Sequence, residues 1–245
     1  EEKARRIEAL PGEEPRLSRL RLRDARHWRI KGLTISPEFA DRFVRRTLVE
    51  TDEGSRDIVI LNCTLYSGAD TSGWSAEEWV ERSCMGILIR GSSMRIVSNR
   101  LRNIDHGISV DGPGNIVENN LIENFSGDGI RVLGDGCVIR RNVIRNCYDV
   151  DDNHDDGIQS WSVGPGGVGT GAVRNVIIDG NLIINYTDPE QEHRGTLQGI
   201  GCFDGFYEGW RITNNIILVD HWHGITLMGA RDCQIVNNTV ADLND

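Results

Sequence analysis

Lysine is nearly absent from this 245-residue chain: it occurs only at Lys3 and Lys31, and the rest of the 27 basic residues are arginine. Against 37 acidic residues they leave a formal net charge of −10. A positive stripe that could release counterions is missing, so nucleic acid is not an expected partner. No apolar run approaches the roughly 20 residues of a membrane-spanning helix, and the first residues are charged, so neither membrane insertion nor a signal peptide is expected. The six cysteines form no C-x-x-C pair and no zinc-ligand spacing, which leaves small buried free thiols as the expectation. The 3.6-residue periodicity of helical repeats is missing as well.

What is present is a repeated phrase. Gly86-Ile87 leads to Asn99, Gly107-Ile108 to Asn120 and Gly129-Ile130 to Asn142, each Asn thirteen residues after its Gly. Stretched by insertions, the phrase returns as Gly157-Ile158 to Asn181, Gly199-Ile200 to Asn215 and Gly224-Ile225 to Asn238. A unit of about 22 residues cannot bury its own apolar face, so the units must stack, and their strand-sized apolar runs make the stack a β-solenoid. Equivalent residues then form columns at the ~4.8 Å spacing of paired strands. The Asn column, with Asn62 placed in the same slot, reads as structural: Asn tolerates left-handed turn geometry and can hydrogen-bond along the column.

No second domain is evident. The spacing of Ala4, Ile7 and Leu10 ahead of Pro11 predicts a short helix, giving an N-terminal cap and lead-in over 1–26 and a coil domain over 27–245. The last coil has no comparable cap, so a homotrimer or a further chain is expected to cover it.

The residues just before each Gly-Ile form a second column: Met85, His106, Asp128, Asp156, Gln198 and His223. Asp105, His154, Asp155, His221 and Trp222 gather beside it. After the Ile, outward alternation presents Arg131 and Gln159, and two residues further Trp161 and Phe203. Long insertions flank the same strand on both sides, which predicts a groove. Its aromatic residues suit the faces of sugars, so the expected partner is a polysaccharide or oligosaccharide. Expected binding residues are His106, Arg131, Gln159, Trp161, Gln198, Phe203 and Trp222. The carboxylates from Asp149 to Asp156 predict either a Ca²⁺ site, with Asp149, Asp151 and Asp152 as ligands, or a perturbed carboxylic acid. No other cofactor is expected.

The coil pattern over residues 57–245 resembles the right-handed parallel β-helix of the pectin-lyase-like superfamily, which implies an all-β fold of about eight coils. Ser126-Gly-Asp128-Gly-Ile, Asp155-Asp156-Gly-Ile and Trp222-His223-Gly-Ile are similar to the motifs of polygalacturonase-type glycoside hydrolases. That resemblance implies Asp155 or Asp156 as general acid, Asp128 as the base activating water and His223 in support. Asp152-Asn153-His154-Asp155 resembles the Asp-Pro-His-Asp/Glu motif of alginate C5-epimerases and related lyases, which implies proton abstraction by His154 beside a cation, Arg131 or Arg194. A third resemblance is to glycan-binding phage tailspikes and adhesins. Because two carboxylates and a water suffice for hydrolysis, hydrolysis is the favoured expectation, with the chain placed outside the cell, in the periplasm or on a virion.

Overall fold

The computed structural model describes residues 4–244. Three parallel sheets of nine, nine and eight strands run its length, and each circuit of the chain adds one strand to each. The fourth coil shows the plan: Arg95–Val97 in the first sheet, Arg100–Ile104 in the second, Ile108–Val110 in the third. Eight coils are complete, and a ninth contributes Gln234–Val236 and Thr239–Asp242.

Register is held by apolar columns. In the first sheet Ile30, Ile60, Ile96, Val117, Ile139, Ile178 and Ile212 are successive partners and fully buried. Each such side chain contributes about 2–3 kcal/mol on burial. Because a one-residue slip would turn a whole column outward, the register is strongly specified. Outside, arginines bridge glutamates between coils: Glu123 takes Arg100 of the coil below at 2.6 Å and Arg145 of the coil above at 2.7 Å. The planar, always-charged fork suits this role, which accounts for arginine in place of lysine.

The Asn column is a continuous ladder. Asn99 Nδ2 donates to Asn120 Oδ1, and the pattern repeats through Asn142, Asn181, Asn215 and Asn238 at 2.9–3.0 Å. The two properties expected of one residue fall on adjacent ones. The left-handed turn belongs to the preceding position, Ser98, Asn119, Arg141, Gly180, Asn214 and Asn237, with φ between 54° and 65°. Asn62, at φ 50°, sits in that turn column and not in the ladder; Cys63 holds the ladder slot, and its N–H donates to Asn99 Oδ1.

The N-terminal helix is corrected. Residues 1–3 lie outside the described residues, and Arg5–Glu8 form a strand paired with Trp28–Lys31, followed by Arg16–Leu17 and Leu20–Leu22 in the other two sheets. The lead-in is therefore itself a coil, because edge pairing to the next strand satisfies its backbone better than an isolated ten-residue helix. All six cysteines are free, five of them buried. No helix among the described residues is long and apolar enough to cross a membrane.

Candidate functional site

The second column stands on consecutive rungs at the entrance to the third sheet. Gly86 N–H donates to His106 O, Gly107 to Asp128 O, Gly129 to Asp156 O and Gly199 to His223 O, while Asp156 pairs with Gln198. Glycine follows because the backbone turns inward against its neighbour: a Cβ at Gly107 would lie 2.3 Å from Gly129 O.

Asp128 is fully buried. Its carboxylate takes Arg131 Nε at 2.5 Å and the Asp156 N–H at 3.1 Å, while its own N–H donates to His106 Nδ1 at 2.7 Å. An accepting Nδ1 requires a neutral imidazole, and burial together with Arg131 and Arg45 pushes His106 down to about 3. Burial raises Asp128, with Arg131 opposing. Asp105 is pushed up to about 6 by burial although Arg45 grips it at 2.9 Å.

Asp156 is also fully buried, and burial plus the charge of Asp128 pushes it up to about 8. Its Oδ2 accepts from Gln159 Nε2 at 3.0 Å and lies 3.3 Å from His154 Nδ1, whereas Oδ1 has no partner. Gly201 makes this placement fit, since a Cβ there would fall 2.0 Å from Oδ1. His154 itself is 61% exposed. Asp155 points away, with Asn153 Nδ2 and Cys147 Sγ donating to it, and burial pushes it up to about 7.

His223 holds Thr226 Oγ1 at 2.8 Å, and the Phe203 ring lies between it and His154, 5.0 and 6.3 Å away. Phe203 occupies a bulge, so Asp204 pairs with Trp161 in the place sequence alternation gave to Phe203. Trp161 carries the Arg131 guanidinium over its ring at 5.4 Å. Gln198 is buried with Oε1 unpartnered, and Trp222 is 84% exposed beside His221.

Three further aromatic residues near the groove are packed away from solvent. Trp79, on the helix Ala76–Arg82, is fully buried and stacks on Tyr148 at 4.6 Å; Trp74 and Tyr207 are buried too. These rings pack insertions together and offer no face to a sugar. Asp149, Asp151 and Asp152 lie on an exposed loop, and no three His, Cys, Asp or Glu among the described residues form a metal-holding group. Asp149 is raised by partial burial and by the charge of Asp151. Arg45, from the loop between residues 35 and 49, is a member of the corner that sequence reasoning missed, because that loop carries no repeat.

Three parallel sheets and an Asn ladder define a parallel β-helix protein, with a titratable corner on one sheet. Residues 85–244 match the family model for the right-handed beta helix region, and the chain belongs to that family. Among solved structures, a mutant of the periplasmic alginate epimerase AlgG is similar over 89% of this chain and 46% of its own, at 13% identity and TM-score 0.55. The enzymatically active domain of tailspike protein 2 of bacteriophage CBA120 is similar over 98% and 39%, at 13% identity and TM-score 0.48. PfbA, a surface adhesin of Streptococcus pneumoniae, is similar over 81% and 55%, at 11% identity and TM-score 0.44. These likenesses are likenesses of fold. The chain spans less than half the length of the epimerase and of the tailspike domain. Comparison with curated proteins gives no match.

Proposed function

We propose that the chain binds an anionic polysaccharide across the third sheet and that His154 removes a ring proton beside a sugar carboxylate. One observation carries this: His154 is exposed while Asp128 and Asp156 are fully covered. Hydrolysis needs an acid touching the glycosidic oxygen and a base touching water, and neither carboxylate reaches solvent. In the proposed roles Asp156 Oδ2 fixes the His154 tautomer with its proton on Nδ1, which leaves Nε2 free as the base. Arg131, aligned by Asp128, meets the carboxylate of the substrate and steadies the carbanion. The proton passes from carbon to Nε2; the electron pair then either expels the oxygen on the β-carbon, which leaves as a hydroxyl with that proton or one from water, or takes a proton from water on the opposite face.

An acidic corner would repel such a polymer, and its buried carboxylates lose much of that repulsion near neutral pH. Asp105 and Asp128 are paired with arginines, and Asp155 and Asp156 are pushed up to about 7 and 8. A polymer of this kind lies outside the cytoplasm, which fits a periplasmic, extracellular or virion-borne chain.

The test is incubation with uronate polymers in deuterated water. Deuterium at the carbon beside the carboxylate, or an unsaturated chain end, is expected, and His154→Ala should cut the rate about 10²–10⁴-fold without moving the melting temperature. New reducing ends without either signal would restore hydrolysis, and binding without turnover would restore the tailspike-like reading.

A further inference from the structure

The N-terminal end of the same sheet carries a group of arginines that the corner does not use. Arg19, Arg21 and Arg90 all converge on Glu50, at 2.5, 3.5 and 2.7 Å. One carboxylate cannot neutralise three guanidinium groups, so the cluster keeps a positive excess. Arg19 also has a buried Nε with no partner. That atom is covered by protein, so the donors Arg19 offers to a ligand are those of its guanidinium tip.

Beside it lies a cleft of about 100 Å³ lined by Ser18, Arg19, Arg42, Val44, Arg46 and Leu48. Arg42 and Arg46 are exposed and form no ion pair among the described residues. The cleft is small and open on one side, so a charged group of a larger ligand can enter it. Their loop is fixed at its middle, where Arg45 donates to Ser83 O at 2.7 Å and to Asp105 at 2.9 Å. One loop thus joins the cleft to the corner. The strand Val49–Thr51 stands four strands from Asp156–Trp161 in the third sheet, ~19 Å at the usual spacing.

We propose that Arg19, Arg42 and Arg46 form a distal anion site, which grips a carboxylate of the polymer whose other end lies at His154. The polymer is taken from the proposed function, on which this site rests; the role of His154 is tested separately. The geometry requires an oligomer, since a single sugar cannot span both places.

Calorimetric titration of the full chain with a uronate oligomer, its monomer and a neutral glucan oligomer tests this. The oligomer should bind more tightly than the monomer, weaken with added salt and lose about five- to tenfold in affinity in the Arg42→Ala/Arg46→Ala double variant. In turnover, that variant should raise KM and leave kcat unchanged, whereas His154→Ala should bind normally and lose about 10²–10⁴-fold in kcat. Unchanged oligomer affinity in the double variant, or no binding of any uronate by the wild type, overturns the anion site. Arginine-dependent binding with no turnover by the wild type upholds the anion site and rejects the role of His154. Both arginines are exposed, so a folding defect is not expected, and an unchanged melting temperature verifies it.

Discussion

The turn between the first and second sheets and the turn leading into the third come from the same repeat, yet they are built in opposite ways. In the first, one residue type recurs, and the Asn99 to Asn238 ladder meets the side-chain donors and acceptors of each coil with those of the next. In the second, His106, Asp128, Asp156, Gln198 and His223 occupy equivalent rungs, and Asp156 Oδ1 and Gln198 Oε1 are buried without partners. A uniform column is a stabilising device. A varied column in the same frame carries unsatisfied groups that cost stability, which is expected where structure yields to function.

The largest effect expected from breaking this contrast is in the ladder. Asn142 Oδ1 accepts the N–H of Asn120 and its Nδ2 donates to Val117 O, all in the dry interior. Asn142→Leu should lose about 2–5 kcal/mol, read from the denaturant midpoint, because a buried N–H is left without an acceptor. An unchanged midpoint would deny the ladder its structural role.

Asp156→Asn should act in the other direction, and only at higher pH. Because its folded value is raised to about 8 from an ordinary 3.8, the native state holds a proton that the unfolded chain releases. Stability therefore falls as pH climbs from about 4 to about 8, and the Asn variant escapes that fall. At roughly 1.4 kcal/mol per unit, the variant should be more stable than wild type by a few kcal/mol at pH 8 and equal to it at pH 4. A gap that does not change with pH would contradict the buried, proton-holding carboxyl.

Glycines sharpen the comparison further. Gly201→Ala puts a Cβ against Asp156 Oδ1 and the Phe203 ring, so about 1–3 kcal/mol should be lost. Gly180 sits at φ 65° in the turn column where Asn119 and Asn214 are its equivalents. Gly180→Asn should therefore change the thermal midpoint by the equivalent of less than about 0.5 kcal/mol.

Much of this was legible in the chain itself. The Gly-Ile phrase repeats locally, and stacking must place equal positions in columns, so the coil length, the Asn column and the rungs from His106 to His223 follow from spacing alone. Local pattern failed where a distant partner chose the outcome. Arg5–Glu8 took strand geometry from the coil beside it, and the bulge at Phe203 arose between two long strands.

By itself, then, the sequence determined the period, the apolar columns and the frame in which titratable residues recur, because these are properties of neighbours along the chain. The tertiary structure decided which of those residues meet solvent. It covered Asp128 and Asp156, left His154 exposed, brought Arg45 onto Asp105 across 60 residues and spread Asp149, Asp151 and Asp152 along a loop. Burial and long-range charge set those outcomes, and both depend on how irregular insertions fold back on the coils, for which the repeat carries no instruction.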